Sequence, residues 1–295
     1  AGLSRTQAMK APDFLYRRPA SLDEALALLA DNSGSAQVLA GGQSLMPTLN
    51  MRLSSPGMLV DINRIASLRG IGETGDGIRI GALVRHCEVL ESVVIAQKVP
   101  LLAQAMTHVA HMAVRNRGTT CGSLALADPS AEAPAVAVLL NATVHLQSAK
   151  GARDVRARDF FEGLYATARH DDEVITGVSF PSAGRAEVFR FSELSRRHGD
   201  FAIVGIGVKA VKSGDGLGAI EVVIFGSEPS PLLVAADMTI DRDAADADLH
   251  RMARTISAEM EPIGNHQGRP ETKRHQAATL LQRAFADLRR ELRDG

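Results

Sequence analysis

Two glycine-rich segments, which we interpret as loops, lie about eighty residues apart and carry the residue types that approach a phosphate group. The first is Ala40-Gly41-Gly42-Gln43-Ser44 and the second is Arg115-Asn116-Arg117-Gly118-Thr119-Thr120-Cys121-Gly122-Ser123. Glycine lets backbone N–H groups reach an oxyanion without an intervening Cβ, and serine or threonine adds a hydroxyl donor. One such segment alone indicates a turn as readily as a binding site. Two in one chain predict a diphosphate held from two sides, as in a dinucleotide.

Composition and charge exclude several classes of function. The chain has 295 residues, 45% hydrophobic and 23% charged, with a formal net charge of −1. This is typical of a soluble globular chain of two or three compact units, and it argues against a general nucleic-acid or membrane-surface partner. No apolar run reaches the roughly 18 residues that span a bilayer. We therefore expect no membrane span and, without a signal-like opening, a cytoplasmic location.

The two cysteines, Cys87 and Cys121, limit the redox chemistry that the chain can perform alone. A [2Fe–2S] cluster usually needs four thiolates, and a structural zinc site needs four ligands, often cysteines. His108 and His111 could share a helix face, but no third metal ligand is apparent. We also find no nucleophile elbow, P-loop or general acid–base pair. Redox activity would therefore rest on an organic cofactor.

The elements that would position the two segments are predicted from periodicity and caps. Ser21 and Glu24 form a capping box that opens a helix, and short strands are expected over 37–40, 58–62 and 78–82. Helices over about 100–109 and 133–140 flank the second segment. Beyond Pro181 we expect strands over 188–194, 202–211 and 219–225, a hairpin at 213–216, and helices over 245–260 and 270–292. This predicts an α+β chain with a boundary near residue 182.

Three ordered motifs extend this interpretation. They are Met9-Lys10-Ala11-Pro12-Asp13-Phe14 with the following 18–25 stretch, Leu124-Ala125-Leu126-Ala127-Asp128-Pro129-Ser130-Ala131-Glu132-Ala133-Pro134, and Ser195-Arg196-Arg197-His198-Gly199-Asp200-Phe201-Ala202. With the glycine-rich segments they resemble the FAD-binding medium subunits of molybdenum hydroxylases, a family that includes carbon monoxide, nicotine, quinoline and xanthine dehydrogenases. The resemblance runs from about Met9 to the last helix, and residues 1–8 precede it.

The resemblance implies a two-domain fold. A two-lobed FAD-binding domain of the vanillyl-alcohol-oxidase-like (PCMH) type would cover residues 9–182, with two α/β subdomains split near residue 65. A small C-terminal domain, like that of the carbon monoxide dehydrogenase flavoprotein, would cover residues 183–295. We expect this second domain to hold a three-stranded antiparallel sheet and helices.

The resemblance also implies which residues contact FAD. The pyrophosphate would lie against Ala40, Gly41, Gly42, Gln43, Ser44 and Leu45, and against Thr119, Thr120, Cys121, Gly122 and Ser123. Glu132 would accept hydrogen bonds from cofactor hydroxyls, and Ile175 and Phe201 would lie near the flavin ring. From the residues alone, Glu132 fits equally well as a solvated glutamate at a helix N-terminus, and the two apolar residues fit as core.

The chain departs from the family pattern at a few positions. Cys121 and Ser123 replace a glycine and an asparagine of the second segment, and Ser192 stands near a position where some relatives carry lysine. A Cβ at Cys121 would narrow the approach to the phosphate. Asp128 fits better as a turn residue before Pro129.

The implied function is electron transfer within a complex. A small [2Fe–2S] subunit and a large molybdopterin subunit would be the partners, in a dimer of heterotrimers, and FAD would pass electrons to an external acceptor. Two alternatives remain open at this point. One is a self-sufficient FAD-dependent oxidoreductase, and the other is an assembly subunit that has lost its flavin.

Overall fold

The computed structural model describes residues 11–75 and 77–294, and the chain begins there with a small parallel sheet. Its strands are β1 (Leu15–Arg17), β2 (Ala36–Leu39) and β3 (Met58–Asp61), in the order β1-β3-β2. Two helices belong to this part, α1 (Leu22–Asp31) and α2 (Leu45–Asn50). The Ser21 half of the predicted capping box is confirmed, because Ser21 Oγ accepts from the Glu24 N–H at 3.2 Å. The Glu24 carboxylate accepts from the Ala20 N–H at 2.8 Å instead of from Ser21. Met9 and Lys10 of the first motif lie outside the described residues.

A second, antiparallel sheet follows. Its strands lie in the order β4-β5-β10-β6-β7, with β4 (Ile71–Thr74), β5 (Gly77–Gly81), β6 (Thr143–Ser148), β7 (Gly151–Arg156) and β10 (Val174–Pro181). A short hairpin pairs β8 (Phe161–Gly163) with β9 (Ala166–Thr167). Seven helices interrupt these strands: α3 (His86–Glu91), α4 (Val93–Lys98), α5 (Pro100–Met106), α6 (Met112–Arg115), α7 (Thr120–Leu126), α8 (Glu132–Leu139) and α9 (Ala157–Phe160).

A third sheet forms after Pro181. It is antiparallel, with β11 (Glu187–Leu194), β12 (Val204–Ser213), β13 (Gly216–Phe225) and β14 (Leu232–Ala236) in chain order. The two-residue strand β15 (Ile240–Asp241) pairs with the start of β13. The helices α10 (Asp246–Ala258) and α11 (Pro270–Asp294) complete the chain. The three predicted strands and their hairpin are present, and β14 and β15 extend the sheet beyond them.

Both faces of the third sheet are buried, and one of them packs against helices that precede it in the chain. Val223 and Phe225 on one face belong to the same hydrophobic cluster as α5 and α8. Val222 and Ile224, which alternate with them, pack in a second cluster with α10 and α11. Side chains on a strand alternate between faces, so one run of apolar residues serves both layers.

Helix α8 is the centre of this packing. All eight of its residues are buried, and it contacts α5, β12 and β13. An all-apolar surface is what a helix needs when neighbours surround it. Its first residue, Glu132, is the exception in chemistry and lies at the junction between the second and third sheets.

Candidate functional site

The two glycine-rich segments lie in contact. Gly41 packs so closely on the backbone of Arg117 and Gly118 that a Cβ at position 41 would stand 2.8 Å from Gly118 Cα. Gly42 has a φ of +70°, a left-handed conformation that favours glycine. Glycine is therefore favoured at position 41 by the close approach of the two segments and at position 42 by the backbone conformation.

Two side chains that sequence analysis missed connect these segments. Asn63 donates from Nδ2 to the carbonyl of Ala40 at 2.8 Å. Arg85 donates from Nη2 to Asn63 Oδ1 at 2.6 Å and from Nη1 to the carbonyl of Arg117. The bridge Ala40–Asn63–Arg85–Arg117 thus ties the first segment to the second. No motif marks Asn63 or Arg85, because each is an isolated polar residue beside a helical turn.

A buried carboxylate holds Asn63 in this orientation. Asp61, which ends β3, accepts from the Asn63 N–H at 2.9 Å and from Asn63 Nδ2 at 2.6 Å. Tyr16 donates its hydroxyl to the same carboxylate, and Arg18 lies 3.5 Å away. Burial alone would raise the pKa of Asp61, but the hydrogen bonds from Tyr16 and Asn63 outweigh it and lower the pKa.

The second segment is a helix start rather than the loop that we predicted from its glycines. Thr119 is the N-cap of α7, and its Oγ1 accepts from the Gly122 N–H at 3.0 Å. A Cβ at Gly122 would lie 2.6 Å from that hydroxyl and would displace the cap. Small residues and an N-capping threonine favour this turn as strongly as they favour an irregular loop. The correction concerns Thr120, Cys121, Gly122 and Ser123, which are all helical.

Two of these residues turn their side chains into the core. Thr120 is fully buried, with Oγ1 3.4 Å from His86 Nδ1. Cys121 is 2% exposed, and its Sγ lies 3.9 Å from the carbonyl of Ile80 on β5. Burial raises the pKa of this thiol to about 12. The Cys121 side chain therefore points away from the face that Gly41 and Gly118 share.

His86 packs against Gly118 of the second segment. The position of a Cβ on Gly118 would be 2.8 Å from His86 Cδ2, so the imidazole ring fills the space that a side chain would need. Burial first, and then the charges of Arg115 and Arg85, lower the pKa of His86 to about 4. The ring is neutral at pH 7 and acts as a packing surface.

Glu132 is buried beside other carboxyl groups. It is 8% exposed at the first residue of α8. Desolvation, followed by the charges of Glu193 and Asp128, raises its pKa to about 8. The alternative of a solvated glutamate is wrong for this residue.

Asp128 is a turn residue, as predicted. Its Oδ1 accepts from the Ser130 N–H at 2.9 Å, and its Oδ2 accepts from the Tyr165 hydroxyl at 3.2 Å. The carbonyl of Pro129 accepts from the Gly226 N–H at 2.8 Å, just after β13 ends. The turn therefore fixes the start of α8 against the third sheet.

The two apolar candidates have different environments. Phe201 is 62% exposed in the segment before β12, so the core alternative is wrong for it. Ile175 is 5% exposed on β10, opposite Leu146 of β6, and it belongs to the hydrophobic core. The structure thus separates these two residues, which the sequence left alike.

His108 and His111 lie in the segment between α5 and α6 and do not share a helix face. Residues 11–75 and 77–294 contain no group of three histidine, cysteine or acidic side chains that could hold a metal ion. His108 instead lies with its Nδ1 3.5 Å from Glu193 Oε1 and its ring against Phe191. Arg115 donates to the carbonyls of Val109 at 2.9 Å and Ala110 at 2.8 Å, so it positions the chain before the second segment.

Comparison with known proteins decides the family. Residues 9–183 match the family described as FAD binding domain in molybdopterin dehydrogenase, and residues 189–288 match the CO dehydrogenase flavoprotein C-terminal domain. The chain belongs to the FAD-binding medium subunits of molybdenum hydroxylases. It is an oxidoreductase component, and the cofactor of its family is FAD.

Individual relatives of this FAD-binding subunit cover most of its length. The 6-hydroxypseudooxynicotine dehydrogenase complex subunit alpha of Paenarthrobacter nicotinovorans is 36% identical over 94% of this chain and 95% of its own. Caffeine dehydrogenase subunit beta of Pseudomonas sp. strain CBB1 is 42% identical over 68% of each chain. A carbon monoxide dehydrogenase structure from Hydrogenophaga pseudoflava, lacking the Mo-pyranopterin moiety, superposes with a TM-score of 0.86 at 32% identity, covering 95% and 99% of the two chains.

The described residues of this FAD-binding subunit fit that cofactor. The charge near the contact of Gly41 with Gly118 is positive, because Arg69 and Arg117 lie close to Arg85. Burial, and then the charges of these two arginines, lower the pKa of Arg85. Glu132 has the carboxyls of Glu193 and Asp128 nearby. A dinucleotide has an anionic diphosphate and, away from it, hydroxyl and N–H donors. The arginines near the Gly41–Gly118 contact suit the diphosphate, and these carboxyls suit the donors. No helix within residues 11–75 and 77–294 is long and apolar enough to cross a bilayer.

Proposed function

We propose that this chain is the FAD-carrying electron-transfer subunit of a molybdenum hydroxylase complex. In the complex, electrons would pass from [2Fe–2S] clusters of a small partner subunit, through FAD, to an external acceptor, while a large partner subunit holds molybdopterin. The observation that carries the proposal is the contact between Gly41 and Gly118, which joins two phosphate-compatible segments in a member of this family. When bound, FAD supplies the redox chemistry, and the protein supplies binding and orientation.

We assign the cofactor contacts as follows. The first segment, with Ala40, Gly41, Gly42, Gln43, Ser44 and Leu45, and the second, with Thr119, Thr120, Cys121, Gly122 and Ser123, would hold the diphosphate. The side chains of Thr120 and Cys121 face the core, and the Thr120 N–H donates to the Val84 carbonyl at 3.4 Å, so of these two residues the Cys121 N–H would be the donor to the diphosphate. Glu132 would accept from cofactor hydroxyls. Phe201 would lie beside the flavin ring, with Ile175 packed behind it.

The cysteine count supports a partner for the iron–sulfur clusters. The sequence has two cysteines, and four thiolates are the usual requirement. Cys121 is buried against β5, so it is unsuited to cluster ligation in this fold. The electrons would then reach this chain from another subunit. The assembly that we propose is a dimer of heterotrimers in the cytoplasm, with a FAD-binding unit of residues 9–182 and a C-terminal unit of residues 183–295.

Neither alternative function gains support from a specific observation. The departures at Cys121 and Ser123 in the second segment are what make a flavin-free assembly subunit conceivable. The thiol points into the core, so it leaves the surface of that segment unobstructed. A self-sufficient oxidoreductase would require a catalytic base beside the flavin ring, and the sequence offers no candidate pair.

Reduction of the isolated full-length chain tests the relay. The purified chain should show a flavin spectrum that bleaches with dithionite. The substrate of the complex should bleach it only after the iron–sulfur and molybdenum subunits have been added back. If substrate reduces the flavin in the isolated chain, the self-sufficient oxidoreductase replaces the relay. If the chain neither carries nor takes up FAD, the assembly subunit does.

A further inference from the structure

Glu193 has a buried carboxyl oxygen without a hydrogen-bond partner. It lies near the end of β11, and its side chain is 2% exposed. Its Oε1 is 3.5 Å from His108 Nδ1, whereas its Oε2 has no partner among residues 11–75 and 77–294. A buried polar atom without a partner loses its hydration without replacement, so such atoms normally have a partner in the working protein.

The direction of Glu193 places this oxygen beside the candidate site. Phe189, Phe191 and Glu193 alternate along β11, and Phe189 belongs to the cluster that includes α5 and α8. His108, just after α5, contacts both Phe191 and Glu193. Glu132, at the start of α8, is close enough to Glu193 for their charges to interact.

Within the described part of the chain, none of the neighbouring titratable groups is hydrogen-bonded to Glu193 Oε2. Glu132 and Asp128 lie on the α8 side, and His108 faces the other carboxyl oxygen. The ring of His198, from the segment after β11, has its centroid 5.9 Å from that of His108 and is tilted by 44° against it. A group that satisfies Oε2 must donate a hydrogen bond and must come from outside these side chains.

We propose that Glu193 is an additional FAD-binding residue, whose free carboxyl oxygen accepts a hydrogen bond from a hydroxyl or N–H group of the cofactor. This rests on the proposed function, because it requires FAD in the same site. The arginines near Arg85 and Arg117 suit the anionic diphosphate, and the carboxyl groups of Glu132 and Glu193 suit the donor-rich part of the cofactor. The donors of that part match an acceptor such as Glu193.

Titration of the full-length apoprotein with FAD tests the proposal. Glu193→Gln should raise the dissociation constant of FAD about tenfold, because a charge-assisted hydrogen bond is lost. The melting temperature of the apoprotein should stay the same or rise, since the variant removes a carboxyl group that has an unpaired buried oxygen. A residue with only a structural role would lower that melting temperature instead.

Two further variants complete the design. Glu187→Gln removes a carboxyl from the opposite end of β11, where it pairs with Lys209 at 3.3 Å, and it should leave the FAD affinity unchanged. Glu193→Asp keeps the charge but shortens the side chain by one methylene, so the carboxyl oxygen no longer reaches the cofactor. FAD binding should weaken as in Glu193→Gln. Wild-type affinity in both position-193 variants would overturn the role of Glu193 while FAD binding stands. Failure of the wild-type chain to bind FAD would instead overturn the proposed function.

Discussion

Arg85 and Asn63 form a 2.6 Å hydrogen bond that closes the bridge between the two glycine-rich segments. Asn63 reaches Ala40 on one side and Arg85 reaches Arg117 on the other. Either residue alone would contact one segment. The bond between them sets the distance between the segments, so it should set how well the pair accepts a diphosphate.

The bridge predicts a shared effect of its two residues. Asn63→Ala and Arg85→Ala should each raise the FAD dissociation constant about tenfold, roughly 1.4 kcal/mol, because the segments lose a common support. The double variant should be little worse than either single variant, since both act through one bridge. Fluorescence titration of apoprotein measures all three constants.

Arg156→Ala is a suitable control for this pair. Arg156 is an exposed arginine of β7 that contacts Asn141 and Thr143 in the second sheet. It should leave FAD affinity unchanged. Additive effects of the Asn63 and Arg85 variants would contradict a single bridge, and wild-type affinity in both would contradict any role in positioning.

Gly42 should be required for the chain to bind one FAD per protein molecule. Gly42→Asp adds a negative charge beside the diphosphate and forces a side chain into a φ of +70°, so FAD should be lost. Gly42→Ala keeps the strain without the charge and should retain part of the flavin. Flavin absorbance per mole of protein separates the two effects.

The matched control is Gly72→Asp on β4. The position of a Cβ on Gly72 has no atom within 4 Å, and φ there is not in the left-handed region. This variant should keep the wild-type flavin content. Full flavin content in Gly42→Asp would show that the first segment does not hold the diphosphate.

Glu132 should make the stability of the apoprotein depend on pH. Its pKa in the folded chain, about 8, lies above its ordinary value of 4.5, so the folded state binds more protons than the unfolded state between these values. The free energy of unfolding should therefore fall as pH rises from about 5 to 8, by up to about 1 kcal/mol per pH unit. Glu132→Gln should lose this slope and should be more stable than wild type at pH 8.

The same group predicts how FAD binding responds to pH. If cofactor hydroxyls donate to the ionised Glu132, binding releases a proton, and the FAD dissociation constant should decrease as pH rises toward 8. Calorimetry in two buffers of different ionisation enthalpy counts this proton. A dissociation constant with the same pH profile in wild type and Glu132→Gln would exclude Glu132 as the linked group.

The two cysteines should differ in reactivity. Cys121 is buried with a pKa near 12, whereas Cys87 is partly exposed. A thiol reagent should therefore modify one cysteine in the native chain and two after denaturation. Cys121→Ala should keep FAD, with a modest loss of stability from the vacated core volume. Rapid labelling of both thiols in the native chain would show that α7 does not hold Cys121 in the core.

Local signals in the sequence were sufficient for the elements whose interactions are short-range. The Ser21–Glu24 cap, the 213–216 hairpin and the long C-terminal helices depend on neighbours in the chain, and all are present. Gly41 and Gly42 could also be identified, because close approach and positive φ both leave glycine as the favoured residue. Motifs with these residues were enough to place the chain in its family.

Contacts between distant parts of the chain decided the rest. Asn63 and Arg85 are ordinary polar residues until the fold places them between Ala40 and Arg117. The second segment became a helix start because Thr119 caps it, and tertiary burial directed Cys121 into the core.

The acidic end of the site shows the same limit. Glu132 and Glu193 are 61 positions apart in the sequence and come close enough for their charges to interact because α8 and β11 both pack against α5. The pKa of Glu132 follows from that burial and from the nearby charge, neither of which has a local sequence signal. Residue type determined which groups could accept a hydrogen bond from a cofactor. Tertiary packing decided which of them are buried without a partner, because burial and pairing depend on neighbours from elsewhere in the chain.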